Sequence, residues 1–343
     1  MNASDAGPIL IWGAGAIGGS LGAGFLRAGH EVVFVDTDAA HVAAMKSDGL
    51  TIDGPVRPDR VTATAHLPGD LEGTFTRTFL CVKALHTDAA IAALAPHVAP
   101  DGYVVSAQNG LNERVIAEVV GAERTIGCFV NFGADYLAPG VVHYSGRGAV
   151  VVGELDGTAT PRIDALHALM CDFDDAAIVT PDIWGYLWGK MTYGALLFGT
   201  ALTDDSIADV LADPASRPVL TALGQEVGAI VAAEGVTPEG FDGFDPAAFA
   251  PGAGQAALDR SFAEMVAHNR RSTKTHSGIW RDLAIRKRKT ECEAQLGPIV
   301  ASGRTHDCPT PLTERLMATI AEIEAGRRPL ARANLTELGG GTA

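Results

Sequence analysis

The sequence predicts an α/β protein in two parts, an N-terminal doubly wound parallel sheet and an all-α C-terminal domain. Before about residue 180, short apolar runs alternate with helical patterns, which is typical of a parallel sheet covered by helices. From Trp184 onward the short runs stop and long helical patterns replace them. We therefore expect domains over residues 1–180 and 181–335.

The composition indicates a folded, acidic protein whose ligands are small molecules. The chain has 343 residues, 47% of them hydrophobic and 20% charged, and a net charge of −15. This charge argues against nucleic acid and polybasic membrane anchoring. The five scattered cysteines lack metal-ligand spacing, and neither a signal peptide nor a membrane span is evident. We expect a cytoplasmic protein with reduced thiols and no metal site.

A complete strand, glycine turn, helix and strand opens the chain. In the turn, Gly13 permits the tight bend, Gly15 lets the backbone approach a pyrophosphate, and Gly18 lets the helix pack on the strand. Backbone amides at the start of the helix, which includes Ala16 and Ile17, would hold the phosphates. The pattern predicts a Rossmann-like dinucleotide-binding domain, whereas the glycines alone would also suit a turn in another α/β protein.

The second strand ends at Asp36, 18 residues after Gly18. A carboxylate at this position accepts hydrogen bonds from the ribose hydroxyls and repels a 2′-phosphate, so it favours NAD(H) without excluding NADP(H). The alternative is that Asp36 only caps the helix beginning near Ala39.

Lys83 and Asn109 each follow a predicted strand of the sheet. Ligands of doubly wound sheets bind at the carboxyl ends of strands, so we expect both residues near the cofactor. Capping and turn formation are the alternative roles.

Motifs along nearly the whole chain together resemble the ketopantoate reductase (2-dehydropantoate 2-reductase) family. They run in this order: GAGAIG (13–18), CVKALHT (81–87), AQNGLNE (107–113), PGVVHYSGRG (139–148), WGKMTYGALL (188–197), RDLAIRKRKTECEAQLG (281–297) and DCPTPLTERL (307–316). The resemblance implies an NAD(P)-dependent oxidoreductase. Such an enzyme transfers hydride between the cofactor and a small oxo or hydroxy acid, or a related alcohol.

The resemblance also implies residue roles. Lys190 matches the general acid that protonates the ketone oxygen, and partial burial would lower its pKa from about 10.4 toward working pH. Glu291 matches a glutamate near the nicotinamide and the substrate, while Lys83 and Asn109 line the same site. A snorkelling lysine and an exposed salt-bridge glutamate are the alternatives.

Departures from the family pattern predict a different substrate. Gly194 and Phe198 occupy positions four and eight residues after the lysine, where the family usually has substrate-binding asparagines. Ser277 could replace a serine expected shortly before Asp282, and the interval from Asp282 to Glu291 is one residue longer than the pattern. Because lost hydrogen-bond donors change selectivity strongly, ketopantoate itself is not the expected substrate.

Four residues could replace these contacts: Tyr193, His276, Trp280 and Arg281. They suggest a larger or aromatic substrate whose carboxylate Arg281 binds, unless the aromatic residues are core and the arginine is solvated. The alternatives are an NAD-dependent dehydrogenase that oxidises such a substrate, an opine-type or 3-hydroxyacid dehydrogenase, and a non-catalytic dinucleotide-binding sensor. A homodimer through the helical domain is also expected.

Overall fold

A computed structural model describes residues 7–272 and 274–340. The chain divides into two compact units, of which the first ends at Ile183 and the second begins at Trp184. The first is built around β-sheets and the second from helices.

The first unit contains the strands and five helices of the α/β part. Its strands are β1 (Ile9–Trp12), β2 (Val32–Val35), β3 (Leu50–Asp53), β4 (Asp59–Val61), β5 (Thr64–His66), β6 (Phe75–Leu80), β7 (Val98–Ser106), β8 (Thr125–Val130), β9 (Gly133–Ala138), β10 (Val141–Gly146), β11 (Val150–Glu154) and β12 (Ile178–Val179). Its helices are α1 (Ala16–Arg27), α2 (Ala39–Asp48), α3 (Thr87–Leu94), α4 (Asn112–Val120) and α5 (Pro161–Phe173).

The main sheet has eight strands in the order β12-β11-β8-β7-β6-β1-β2-β5. All of its pairs are parallel except β11 with β8. The strand order reverses at β1, which confirms the predicted Rossmann-like doubly wound sheet. In such sheets the ligand site lies where the order reverses, beyond the carboxyl ends of the strands.

Helix α1 packs unusually close to this sheet because its sequence is rich in small residues. A Cβ added to Gly22 would lie 2.3 Å from the ring of Phe34 on β2, and one added to Gly24 would lie 2.6 Å from Phe173. Glycine at these positions lets α1 approach both β2 and the end of α5 closely.

A second sheet, of four strands in the order β4-β3-β10-β9, lies in the same unit. The apolar pattern of residues 61–65 predicts one β-like segment, but the structure has two short strands there, β4 in the small sheet and β5 at the edge of the large one. The glycine-flanked apolar run 148–153 predicts, with the run before it, a β-rich extension of the sheet. It forms β11 instead, inside the main sheet and against β8.

The second unit consists of helices: α6 (Ile183–Thr200), α7 (Ile207–Ala212), α8 (Arg217–Ala233), α9 (Gln255–Arg271), α10 (Gly278–Trp280), α11 (Cys292–Thr305), α12 (Pro311–Glu324) and α13 (Ala333–Leu338). The helical pattern over residues 208–235 predicts a single helix, and this prediction is wrong. The chain leaves the helix at Asp213, and α8 restarts with Pro218 in its first turn, because proline lacks the amide that a helix interior needs.

The helical pattern over residues 279–294 predicts one helix, but the structure interrupts it. After α10 the chain makes a π-helical turn at Arg281–Ile285, in which the amide of Arg286 donates to the carbonyl of Arg281 over 2.8 Å. The buried carboxylate of Asp282 holds this turn together, since it accepts from Arg286 at 3.0 Å and from Arg288 at 2.9 Å. A π turn takes up more residues than an α turn, which accommodates the extra residue counted between Asp282 and Glu291.

Two further features concern the whole described chain. No helix within residues 7–272 and 274–340 is long and apolar enough to cross a membrane. The five cysteines are free thiols.

Glu226 of α8 caps α12 from outside that helix. Its carboxylate accepts from the amides of Leu312 at 2.9 Å and Thr313 at 2.7 Å, and from the Thr313 hydroxyl at 2.7 Å. The first amides of a helix have no partner within the helix, and the helix dipole favours a negative charge there.

We predict that Glu226→Ala lowers the free energy of unfolding by about 1–2 kcal/mol, the usual effect of losing a helix cap. Denaturant unfolding followed by circular dichroism measures it. Gln225→Ala removes the exposed neighbouring side chain and should change stability by less than about 0.5 kcal/mol. Equal effects of the two variants would contradict the capping role.

Candidate active site

The glycine turn between β1 and α1 has the shape that a pyrophosphate requires. Gly13 has a φ of +96°, and a Cβ there would lie 2.8 Å from the amide nitrogen of Val82. A Cβ on Gly18 would lie 2.0 Å from the carbonyl oxygen of Gly13, whereas one on Gly15 would meet nothing within 4 Å. Thus two glycines allow close packing, and the third leaves open space at the start of α1. These features fit a dinucleotide whose phosphates bind the first amides of the helix, at Ala16 and Ile17.

Asp36 braces this turn from the end of β2. One carboxylate oxygen accepts from the amide of Ala14 at 2.9 Å, and the other accepts from the amide of Asp38 at 3.0 Å. The alternative that Asp36 caps α2 is wrong, because the N-cap is Asp38, which accepts from Ala40 and His41. Each oxygen of Asp36 keeps a further lone pair, so the half-buried carboxylate can also accept from a hydroxyl.

His41, which the sequence analysis did not single out, holds the other polar group of Ala14. Its Nε2 lies 2.9 Å from the Ala14 carbonyl oxygen, and its Nδ1 lies 2.8 Å from the amide of Gly140. Only the neutral ring with its proton on Nε2 satisfies both contacts, since Nδ1 must accept. The ring is 1% exposed, so this histidine is a buried link between the glycine turn and the β9–β10 turn.

Tyr136 of β9 contacts two residues that follow Asp36, namely Asp38 and His41. Its hydroxyl donates to Asp38 over 3.1 Å, and its ring meets His41 edge-on at 5.0 Å between centroids. The hydrogen bond from the His41 amide, together with that from Tyr136, lowers the pKa of Asp38. Burial, with the neighbouring Asp38 and Asp36 carboxylates, raises the pKa of Tyr136 to about 12. A second carboxylate, that of Asp38, therefore lies close to Asp36, and its hydrogen bonds favour its charged form.

Asn109 and Lys83 follow strands that end level with β1. Trp12, Leu80 and Ser106 are register partners at the ends of β1, β6 and β7, so the segments that follow them leave the same edge of the sheet. Lys83 is half-buried and Asn109 is exposed. The structure thus places both residues at the edge that carries the glycine turn.

Buried amides on either side of Asn109 hold these two segments together, and sequence reasoning missed them. Gln108 donates to the carbonyl of Val82 at 2.8 Å and to the hydroxyl of Thr87 at 2.9 Å. Thr87 in turn donates to Asn112, which donates to the carbonyl of Asn109 at 2.7 Å. This network positions the Lys83 segment against the Asn109 turn. The sequence feature that could have revealed Gln108 is its position, as a polar residue shortly after the apolar run of β7.

In the second unit, Lys190 lies on the half-buried face of α6. The other half-buried positions one and two turns along are Tyr193, Gly194 and Leu197. Phe198, eight residues after Lys190, is fully buried. Its assignment to the substrate site was therefore wrong: eight residues exceed two helical turns, and the side chain rotates into the core.

Tyr193 belongs to an aromatic cluster rather than to the group predicted around Trp280. Its ring packs against Phe244 at 5.1 Å and Phe241 at 5.7 Å between centroids, and its hydroxyl accepts from Asn269 over 3.1 Å. Burial raises the pKa of Tyr193. The alternative of a core aromatic describes this residue better than a substrate contact.

His276 and Trp280 do lie together, stacked at 4.1 Å between ring centroids. Both are tied to Asp204, His276 Nε2 to its carbonyl oxygen at 3.2 Å and Trp280 Nε1 to its carboxylate at 3.3 Å. Ser277 is buried, and its hydroxyl accepts from the amide of Trp280 at 3.2 Å, so it caps α10. The half-buried Arg281 begins the π turn.

Glu291 immediately precedes α11, and hydrogen bonds of the preceding residue, Thr290, hold the backbone of this segment in place. The amide and hydroxyl of Thr290 donate to Glu324 of α12 at 2.7 and 2.6 Å. The Thr290 hydroxyl also accepts from the amide of Cys292 at 3.2 Å. These bonds fix the backbone on both sides of Glu291, whose side chain is half-buried.

Two family models match the chain. "Ketopantoate reductase PanE/ApbA" matches residues 9–157, and its C-terminal counterpart matches residues 181–324. The chain belongs to the ketopantoate reductase family. It is accordingly an NAD(P)-dependent oxidoreductase acting on a C=O or CH–OH group.

Relatives and solved structures extend this similarity over most of the chain. The 2-dehydropantoate 2-reductase of Archaeoglobus fulgidus is 28% identical, covering 93% of this chain and 98% of the relative, and that of Mesorhizobium japonicum is 26% identical over the same shares. A PanE/ApbA family ketopantoate reductase from Ralstonia eutropha has a TM-score of 0.79 at 24% identity, covering 94% and 99% of the two chains. A D-mandelate dehydrogenase, solved with NADH and anilino(oxo)acetate, has a TM-score of 0.82 at 19% identity and the same coverage.

We predict that His41→Ala lowers the free energy of unfolding by about 2–3 kcal/mol and weakens NADH binding at least fivefold. The variant leaves the Ala14 carbonyl and the Gly140 amide buried without their partner, at about 1–3 kcal/mol for each unsatisfied group. Denaturant unfolding and NADH fluorescence titration measure the two effects. The exposed His306 of the second unit supplies the control, His306→Ala, which should leave NADH affinity unchanged and alter stability by less than about 0.5 kcal/mol. Unchanged NADH affinity in folded His41→Ala would contradict this role.

Proposed function

We propose that this enzyme uses NAD(H) and reduces a 2-oxo acid, or oxidises the corresponding 2-hydroxy acid, with Lys190 as the proton-transferring group. The cofactor supplies or accepts a hydride at the carbon that bears the oxygen. Lys190 donates a proton to the carbonyl oxygen in reduction and, when neutral, removes it in oxidation. The observation that supports this best is its place on the half-buried face of α6, where a lysine meets less water than at an exposed position.

The glycine turn and Asp36 would bind the cofactor from the first unit. The amides at Ala16 and Ile17 suit the pyrophosphate, and Asp36 suits the ribose hydroxyls. Asp38, held ionised beside it, adds negative charge where a 2′-phosphate would have to bind. These two carboxylates support a preference for NAD(H) over NADP(H).

The remaining assigned residues would act around the cofactor site and around Lys190. Lys83 and Asn109 extend the cofactor site along the same sheet edge, as their positions after β6 and β7 suggest. Glu291 would orient Lys190 or bind a ribose or substrate hydroxyl, and Arg281 would bind the substrate carboxylate. Gly194 and the core position of Phe198 leave α6 without amides after Lys190, which supports a substrate other than ketopantoate.

A second candidate is oxidation of a larger, aromatic hydroxy acid. The adjoining rings of His276 and Trp280, inclined at 33°, favour it, because aromatic rings next to Arg281 in the chain could contact an aromatic substrate whose carboxylate the arginine binds. Turnover with aromatic but not aliphatic hydroxy acids would distinguish this candidate. Cofactor binding without turnover on either series would instead favour a non-catalytic sensor.

A homodimer through the helical unit stays a prediction, which the mass in solution tests.

We predict that Lys190→Ala lowers kcat by a factor of about 10² to 10⁴, the usual contribution of a general acid, and leaves the NADH dissociation constant unchanged. NADH consumption is measured against a panel of aliphatic and aromatic 2-oxo acids, and NADH binding by fluorescence. Lys289→Ala removes an exposed lysine of the same unit and should retain full turnover. A Lys190→Ala enzyme as fast as the wild type would refute the assignment.

We predict that Asp36→Asn lowers the ratio of kcat/KM for NADH to that for NADPH by at least tenfold. The single amide oxygen can still accept from Ala14, which keeps the bond to the turn, while the bond from the Asp38 amide and the negative charge that repels a 2′-phosphate are lost. Steady-state kinetics with both cofactors give the ratio. Asp70→Asn is a control at an exposed position of the same unit. A ratio that stays at its wild-type value would mean that Asp36 serves the turn alone.

A further inference from the structure

Gly194 leaves a gap on the half-buried face of α6. It follows Lys190 by one helical turn, which is about 6 Å along the axis. Among residues 7–272 and 274–340, a Cβ built at Gly194 would have one neighbouring side chain within 4 Å, that of Gln295, whose Oε1 would lie 4.0 Å away. The side chain that approaches α6 at this point therefore comes from α11 and carries a carboxamide.

The Gln295 carboxamide has no hydrogen-bond partner among residues 7–272 and 274–340. Its backbone amide donates to the carbonyl of Glu291 at 2.9 Å, as helix geometry requires, but its side chain makes no such bond within this part of the chain. The residue is half-buried, so water reaches it only partly. A carboxamide offers two donors and an acceptor, which a polar ligand could satisfy.

Gln295 and Gly194 each follow, by four residues, an ionisable residue assigned to the reaction. Lys190 and Gly194 lie on one face of α6, whereas Glu291 is the N-cap of α11 and its carbonyl accepts from the amide of Gln295. The approach of Gln295 to Gly194 brings the first turn of α11 near this face of α6 within the second unit. The carboxamide thus lies one turn from the position proposed for proton transfer.

We propose that Gln295 is a specificity-determining residue that hydrogen-bonds an oxygen of the oxo-acid substrate beside the reacting carbonyl. The inference rests on the proposed function, since it takes Lys190 as the centre of the reaction. The oxygen belongs either to the carboxylate or to a hydroxyl farther along the substrate. A glycine at 194 gives the longer glutamine side chain the room to reach it.

The test compares Gln295→Ala with the wild type on two related substrates. The two compounds are 2-oxo acids that the wild type reduces and that differ by one hydroxyl, such as 4-hydroxyphenylpyruvate with phenylpyruvate, or ketopantoate with 3,3-dimethyl-2-oxobutanoate. Loss of one hydrogen bond raises KM by about tenfold, because a bond of about 1.4 kcal/mol corresponds to a factor of ten. A rise for both compounds identifies the carboxylate as the partner, and a rise for the hydroxylated compound alone identifies the hydroxyl. The NADH dissociation constant and the melting temperature should not change.

A second variant separates hydrogen bonding from packing. An asparagine at 194 would present a carboxamide to the same space from α6, and its Cβ has ordinary room there. Gly194→Asn combined with Gln295→Ala should therefore recover most of the lost KM. Gln255→Ala, on the exposed start of α9, is the matched control and should leave KM unaltered.

The outcomes bear separately on the two proposals. A wild-type enzyme that reduces 2-oxo acids, with Gln295→Ala unchanged in KM for both substrates, overturns the inference and leaves the proposed function standing. Failure of the double variant to recover KM, in a folded protein that binds NADH, also overturns it. A wild-type enzyme inactive on the whole 2-oxo-acid panel overturns the proposed function, and the role of Gln295 with it.

Discussion

The glycine turn depends on how the two backbone polar groups of Ala14 are held. Its amide donates to Asp36, and its carbonyl contacts the buried ring of His41. No side chain packs against the open side of the turn at Gly15. Hydrogen bonds from neighbouring elements therefore have to hold the turn in place. Asp36 and His41 provide that support from opposite ends of the β2–α2 connection. A ribose bound to Asp36 would share a carboxylate with the turn, which couples cofactor recognition to loop shape.

Much of the fold could be predicted because local pattern and tertiary environment agree. The runs that form β1 and β8 are buried along their whole length, as parallel strands covered on both faces should be. The glycine turn was predictable for a steric reason, since Gly13 and Gly18 lie where a Cβ does not fit. Asp36 could be found by its spacing. The enzyme class followed from the order of several motifs rather than from any single one.

The rest depends on contacts between residues far apart in the chain. His41 reaches Gly140, 99 residues away, and no local pattern announces such a pair. Tyr193 lies on the correct face of α6, yet its partners Phe241 and Phe244 come from a loop that closes over it. Gln108 was overlooked beside Asn109, although the buried residue of the two is the one that organises the network. The spacing of residues in a sequence shows which of them share a face of a helix. Which residues pack against that face depends on the tertiary structure and cannot be read from the spacing.

The π-helical turn around Asp282 bears on how members of this family can diverge. An added residue in an α-helix rotates everything after it by about 100°, which would normally repack the whole helix. Here the departure from α-helical geometry is confined to Arg281–Ile285, and Thr290 anchors the chain on Glu324 before α11 begins. A residue added or removed between these two points would change the path that leads to Glu291 without rotating α11.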